Sequence, residues 1–281
     1  MTSPQPRIAL VTGASSGIGR ASAIALNDAG WIVVLTARRK DALEETIAMM
    51  GDKKHPKTLA VEADVAVVKD VERLFQVVKK EFGGCQPDSH HEAWPFGPAL
   101  QLYGSRRIRP ASLALTMQNA GMSSFKTPME DLSLDHFEQV MRVNVTAPFL
   151  CSQLAVKIMK EQNPQGGRII NNGSISAYTP RPNAAPYTMS KHAISGLTKT
   201  LALDYRQYNI AACQIDVGNA QTSIGLKSDG MLQADGSMRP EPAFNAKYVG
   251  DAIVYMANLP LDVNILNQTI MATNMPFVGR G

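Results

Sequence analysis

An apolar run, Arg7-Ile8-Ala9-Leu10-Val11, leads directly into Thr12-Gly13-Ala14-Ser15-Ser16-Gly17-Ile18-Gly19, and a helical stretch follows from Arg20 to Ala29. The run is short and unbroken, as in a strand buried on both faces. The glycines then restrict what the chain can do next. Gly13 permits a tight turn, Gly17 lets the backbone approach a phosphate, and Gly19 lets the helix pack on the strand. Unpaired N–H groups and the dipole at the helix start favour an anion there. Strand, glycine turn and helix in this order make a dinucleotide cradle, with Gly13, Ser15, Ser16, Gly17, Ile18 and Gly19 as its candidate contacts. The alternative is a glycine loop that holds no nucleotide.

The rest of the chain alternates in the same way. Strands are expected at Trp31–Ala37, Thr58–Ala63, Arg168–Gly173, Ile210–Ile215 and Gln268–Thr273. Helices are expected at Ala42–Met50, Lys69–Phe82, Asp131–Arg142, Phe149–Glu161, Tyr187 to about Tyr205, and Ala246–Leu259. Such alternation predicts an α/β chain with a single doubly wound, mostly parallel sheet and helices on both faces. A length of 281 residues fits one domain over 1–281. The net charge of +4 is small, and no long basic run argues for nucleic acid. No apolar run reaches membrane-spanning length, and the N-terminus shows no signal segment. Cys85, Cys151 and Cys213 have no paired spacing, so a reducing, cytoplasmic setting is expected.

Chemistry is suggested at two places. The strand ending in Asn172-Gly173 would present the Ser174 hydroxyl at its carboxyl end, where open α/β sheets place ligands. Tyr187 and Lys191 are four residues apart, so a helix stacks them on one face, and Pro186 suits its first turn. A positive charge beside a phenol favours the ionised form, which suits the pair to moving a proton. Any Tyr-x-x-x-Lys can also be a half-buried tyrosine beside a solvated lysine. At the end of the second strand, a carboxylate would bind the ribose hydroxyls of NAD. There the chain has Ala37, Arg38 and Arg39. A guanidinium suits a 2′-phosphate, so NADP(H) is expected over NAD(H), with Arg38 the discriminator. The other reading of these arginines is a solvated loop.

Ser174, Tyr187 and Lys191, with the Gly-x-x-x-Gly-x-Gly spacing, resemble the short-chain dehydrogenase/reductase family. The resemblance covers nearly the whole chain and implies a Rossmann-like fold. It implies an oxidoreductase acting between NADP(H) and a small carbonyl or secondary alcohol. Tyr187 would be the general acid/base, Ser174 a donor to the reacting oxygen, and Lys191 a ligand of the nicotinamide ribose. Asn144 would hold a water linking Lys191 to solvent; it also reads as a buried asparagine satisfying a helix distortion. Asp64 and Val65 would meet the adenine, although Asp64 also suits the cap of the next helix. Asn119, Ala120 and Gly121 match the family's Asn-Asn-Ala-Gly, with Gln118 replacing the first Asn. Val217, Gly218 and Thr222 would contact the nicotinamide carboxamide and phosphates, and Val217 replaces a usual proline, which should loosen that turn. The resemblance also implies a homo-oligomer, dimer or tetramer, built on the helix Phe149–Glu161. Residues 219–245 are expected to form a mobile substrate lid, and the tail from Asn274 an extended segment. Two further readings stand beside this one: a nucleotide-binding regulator of the same fold without turnover, and a family member doing dehydration or isomerisation.

Residues 84–117 do not fit. From Gly83 to Asn119 is 36 positions, 119 − 83, too long for a structureless connection in a compact domain. Ala111–Met117 must supply the fourth strand, although it is poor in β-branched residues. The segment could be a surface excursion near the adenine side. It could be a metal clip through Cys85, His90, His91 and Glu92, but that spacing matches no standard zinc pattern, so no metal is expected. It could also be a splicing artefact, since Leu115-Thr116-Met117-Gln118 can be encoded to resemble an intron end; removing it all would delete the fourth strand.

Overall fold

The computed structural model describes residues 7–55, 57–82, 112–123, 127–222 and 230–278. Seven parallel strands form one sheet. They are β1 (Arg7–Thr12), β2 (Ile32–Ala37), β3 (Leu59–Glu62), β4 (Ser112–Gln118), β5 (Gly167–Asn172), β6 (Ile210–Val217) and β7 (Asn267–Ile270). Their order across the sheet is β3-β2-β1-β4-β5-β6-β7. The chain therefore winds outward one way from β1, then the other way from β4. Between these two strands the crossovers leave opposite faces, and a crevice opens at the carboxyl ends.

The helices are α1 (Gly17–Asp28), α2 (Lys40–Ala48), α3 (Val68–Phe82), α4 (Leu134–Met141), α5 (Ala147–Glu161), α6 (Ala185–Asp204) and α7 (Lys247–Asn258). Strand side chains alternate in direction, so each strand feeds two cores. Ala9, Val11, Val33, Leu35, Leu115 and Met117 pack against Leu26 of α1, Leu43 of α2 and Ile253 of α7. Ile8, Leu10, Ile32, Val34, Leu113 and Ile169 pack against Leu74 of α3, Ala155 of α5 and Leu201 of α6. Each buried Leu, Ile or Val contributes about 1.5–3 kcal/mol, so the layered sheet is the dominant stabilising element.

The expected fold class holds, and several boundaries move. The weak fourth strand is real and central: Ser112–Gln118 pairs with β1 on one side and β5 on the other. Packing on two faces and ladders on two edges override its low β-propensity. The helix expected from Asp131 begins at Leu134, because the Ser133 hydroxyl accepts the His136 N–H and caps it there. A π-turn, Arg142–Thr146, then joins α4 to α5. The last strand ends at Ile270 rather than Thr273; the chain turns so that Ala272 and Met275 pack on Ile175. Thus the tail folds back on its own chain as far as Phe277, whose ring meets that of Tyr178. The candidate ligands Cys85, His90, His91 and Glu92, most of the 84–117 segment, and the centre of the expected lid, 223–229, lie outside the described residues.

Candidate active site

The chain turns as soon as β1 ends. Gly13 has φ +65°, which side chains rarely adopt, and a Cβ there would stand 2.9 Å from the Ala120 Cα. A Cβ on Gly19 would lie 2.2 Å from the Gly13 carbonyl oxygen. Helix α1 and the turn therefore meet backbone to backbone, as the glycine spacing required. Ser15, Ser16, Gly17 and Ile18 are left half-exposed at the α1 N-terminus. The Ser16 side chain makes no capping bond, so it leaves first-turn N–H groups for an anion. Thr222 comes to the same turn: a Cβ on Gly17 would be 3.0 Å from the Thr222 Cγ2.

From this turn a line of contacts crosses the crevice. The Thr12 hydroxyl accepts the N–H groups of Asn119 and Ala120 at 2.9 and 3.0 Å. The Asn119 amide nitrogen donates to the Thr12 and Gly13 carbonyls at 3.3 and 3.4 Å. Its Oδ1 accepts from the Asn172 Nδ2 at 3.0 Å. The Asn172 carbonyl in turn accepts from the Lys191 Nζ at 2.8 Å. That ammonium stands 5.4 Å from the Tyr187 ring centroid, one turn back on α6. Lys191 is 6 % exposed, so its charge is held in place rather than solvated.

Ser174 follows β5 at the start of a tight turn, Ile175–Ala177, that packs against α6. Its Oγ accepts the Ser176 N–H at 3.1 Å. That bond occupies an oxygen lone pair and leaves the hydroxyl proton free to be donated. Asn144 sits in the π-turn, a distortion often found at functional sites. Its Oδ1 accepts the Met122 N–H at 2.8 Å, and its Nδ2 donates to the Met122 carbonyl at 2.9 Å and to the Ser190 Oγ at 3.1 Å. Asn144 thus fastens the segment after Gly121 to α6. Gly121 itself is exposed beside it; a Cβ there would be 3.5 Å from Asn144 Oδ1.

The remaining candidates line the crevice rim. Arg38 is exposed just past β2 and makes no ion pair among the described residues. The Asp64 carboxylate does not cap α3; it accepts the Ala66 N–H at 2.9 Å in a turn. Asp70, in the first turn of α3, reaches back instead to the Asp64 N–H at 2.8 Å. Val65 is buried next to it. Val217 stays in the β6 ladder opposite Ile270, and the Gly218 N–H donates to the Ile270 carbonyl at 2.9 Å. Replacing a proline here lets the strand run on rather than loosening the turn. Gln118, at the asparagine's place, points away from the crevice and donates to the Ser152 hydroxyl at 2.6 Å.

The described parts of 219–245 are ordered by short strands that the composition did not reveal. Ala220–Gln221 pairs with Phe244–Asn245, and Met231–Leu232 with Met238–Arg239. Arg181, between Ser174 and α6, binds Glu241 with two bonds of 2.8 and 2.6 Å. Asn219 and Gln233 also donate to that carboxylate, at 2.8 and 3.1 Å. Burial alone would raise the Glu241 carboxyl; the bonds from Arg181, Asn219 and Gln233 and the Arg181 charge outweigh it, holding it down at about 2. A cleft of about 360 Å³ opens at the first turn of α6, with Met129, Leu132, Pro180, Arg181, Pro186 and Met189 on its walls; Tyr187 does not line it.

Sequence reasoning missed Thr12, Asn172, Ser190, Asp216 and the Arg181–Glu241 pair. Each acts through a contact between distant segments, and no spacing announces such a contact. Asp216 alone carried a signal, as an acidic residue inside a fully buried strand.

Comparison with known proteins agrees with this geometry. The chain matches the short chain dehydrogenase family over residues 7–86 and 107–230, and it belongs to that family. It is 31% identical over 222 residues to a 3beta-hydroxysteroid dehydrogenase of Mediterraneibacter gnavus, covering 79% of this chain and 69% of that one. Its fold is similar to that of an alcohol dehydrogenase from Thermococcus sibiricus complexed with 5-hydroxy-NADP, with a TM-score of 0.74, 21% identity, and 96% and 98% of the two chains covered. It is equally similar to a 3-ketoacyl-(acyl-carrier-protein) reductase from Brucella melitensis complexed with NADH, with a TM-score of 0.74, 20% identity, and coverage of 96% and 98%.

Proposed function

Taking that family membership as the premise, we propose that the protein catalyses reversible hydride transfer between NADP(H) and a small carbonyl or secondary alcohol. The observation that carries the reading is Lys191, tied to the Asn172 carbonyl and set over the Tyr187 ring, in one line of contacts from the glycine turn. The residues fit a dinucleotide. The half-exposed α1 N-terminus, where Gly13, Ser15, Ser16, Gly17, Ile18 and Gly19 would hold the pyrophosphate, has no capping bond from the Ser16 side chain. Asp64 and Val65 would border the adenine, Asn119, Ala120 and Gly121 the crevice floor, and Val217, Gly218 and Thr222 the carboxamide end. One structure of similar fold is complexed with 5-hydroxy-NADP and another with NADH. The choice of NADP(H) for this chain rests on Arg38 and on the lack of a carboxylate at the end of β2.

When bound, the cofactor supplies or accepts the hydride at its nicotinamide ring. The protein handles the proton and the charge. In reduction Tyr187 gives its phenolic proton to the carbonyl oxygen, and in oxidation the phenolate takes it back. Ser174 donates to the same oxygen as negative charge builds on it. The Lys191 ammonium offsets the charge left on Tyr187 and would hold the ribose. Asn144 keeps the Met122 segment and α6 in register and would hold the water that returns protons to Lys191. Residues 219–245 would close over the substrate and set its choice. Leu134 of α4 and Phe149 of α5 are exposed apolar groups that would pair with a second copy of the chain. Buried free thiols at Cys151 and Cys213 suit a reducing cytoplasm.

Tyr187→Phe tests the reading. Turnover of ketones, followed by NADPH absorbance, should fall about 10²- to 10⁴-fold. NADPH binding, followed by fluorescence, should stay. Near-normal turnover in this variant would remove Tyr187 from the chemistry.

A further inference from the structure

Asp216 is the penultimate residue of β6 and is completely buried, with 0% of its surface exposed. Its carboxylate accepts four hydrogen bonds, two on each oxygen. Oδ1 takes the Ser174 backbone N–H at 2.8 Å and the Gln214 Nε2 at 2.7 Å. Oδ2 takes the Tyr178 hydroxyl at 2.8 Å and the Asn267 Nδ2 at 2.6 Å. A buried carboxylate without donors would cost several kcal/mol, so this set is what lets Asp216 remain inside the sheet.

The partners are arranged around the serine turn. Beyond the end of β5, Gly173 makes the last ladder bond, to the Ile215 carbonyl at 2.8 Å. The next N–H, that of Ser174, has no strand carbonyl and goes to the Asp216 side chain instead. The turn closes four residues later, where Tyr178 returns to the same carboxylate. Both ends of the segment carrying the Ser174 hydroxyl are therefore fixed on one group. Gly173 shows how tight the fit is: an added Cβ there would lie 1.9 Å from Asp216 Oδ1. On its other side the network reaches α6. Gln214 donates to the Ser195 hydroxyl at 3.0 Å and accepts from the Thr198 hydroxyl at 3.1 Å. The serine turn and the helix of Tyr187 and Lys191 thus share one buried anchor.

We infer that Asp216 is a positioning residue that sets the direction of the Ser174 hydroxyl relative to α6. It touches neither substrate nor cofactor. Its effect is on where Ser174 points when charge develops on the reacting oxygen. The inference rests on the hydride-transfer reading and narrows it to one device.

The test uses the full chain and four variants. Asp216→Asn keeps the shape but turns one acceptor into a donor facing donors. Its kcat for ketone reduction should fall about 10- to 100-fold, the effect of a small misplacement. The NADPH dissociation constant should stay within about twofold, since the contacts proposed for the pyrophosphate and adenosine lie on other strands, at the ends of β1 and β2. The primary isotope effect from C4-deuterated NADPH should rise, because hydride transfer becomes slower than the other steps. The double variant Asp216→Asn with Asn267→Asp restores an amide–carboxylate pair and should regain most of the kcat. Tyr178→Phe removes one donor without changing the fold and should lower kcat without weakening NADPH binding. Wild-type kcat in Asp216→Asn would overturn the inference. So would a loss of turnover, NADPH affinity and melting temperature in parallel, or a double variant as slow as the single. If Asp216→Asn does not fold, Tyr178→Phe decides alone, and an unchanged kcat there overturns the inference. Ser174→Ala separates the two levels. If it turns over normally, the role of Ser174 itself falls; if it is inactive while Asp216→Asn is normal, only the anchor falls.

Discussion

Replacing Arg181 with Met should release the segment around Glu241 from the loop that leads into α6. The Arg181 side chain is 16% exposed and that of Glu241 only 2%, so the pair is desolvated. The Glu241 carboxyl moves from 4.5 to about 2 in the folded protein. At about 1.36 kcal/mol per pKa unit, that drop is worth about 3 kcal/mol at neutral pH. Its sign is that of a depressed acid. The stabilisation is present above the unfolded value and is lost as pH falls toward the folded one. By pH 4 roughly a quarter of it is gone. Arg181→Met removes two of the bonds and the facing charge while keeping the length of the side chain. We expect a loss of about 3 kcal/mol at pH 7, the usual scale for a buried carboxylate stripped of its partner. The gap to wild type should narrow as pH falls to 4. Urea unfolding at the two pH values measures this, and limited proteolysis between residues 230 and 245 shows where the chain opens. The value of kcat/KM should fall while NADPH affinity holds. A gap under about 1 kcal/mol at pH 7, with unchanged proteolysis, would refute the claim that this pair fastens the segment.

Gly19→Ala places a methyl group 2.2 Å from the Gly13 carbonyl oxygen, so α1 must shift away from the turn. Dinucleotide binding by titration calorimetry should weaken at least about tenfold, and an unchanged affinity would show that the close approach is not needed. Arg38→Asp exchanges a guanidinium for a carboxylate at the place proposed for the adenosine ribose, so the ratio of NADPH to NADH turnover should reverse; an unchanged ratio would move the discrimination elsewhere. Asn144→Ala leaves the Met122 N–H and carbonyl without their partner. Each such loss costs about 1–3 kcal/mol, so the unfolding midpoint in urea should drop clearly, and an unmoved midpoint would refute the fastening role.

Much of the candidate site's geometry was legible because it is local in sequence. The turn from Gly13 to Gly19 needs small residues at fixed offsets, whatever surrounds it. Tyr187 and Lys191 meet because a helix repeats every 3.6 residues. Arg38 was placed by counting to the end of an apolar run. The fourth strand shows the limit of this reasoning. Leu113, Leu115 and Met117 have no strong preference for a strand, and only β1 and β5 on either side make them one. The π-turn at Asn144 was equally hidden, since it comes from fastening α4 and α5 over the Met122 segment.

The sequence by itself determined the layered architecture, the glycine turn between β1 and α1 and the two residues on one face of α6, because period and turn chemistry act over a few residues. Only the tertiary structure decided that Asp216 holds both ends of the Ser174 turn, that Asn172 links Asn119 to Lys191, and that Arg181 faces Glu241 across 60 residues. Those pairs join segments far apart in the chain. What brings them together is the burial of the sheet between its two layers of helices, and the need of every polar group caught there for a partner.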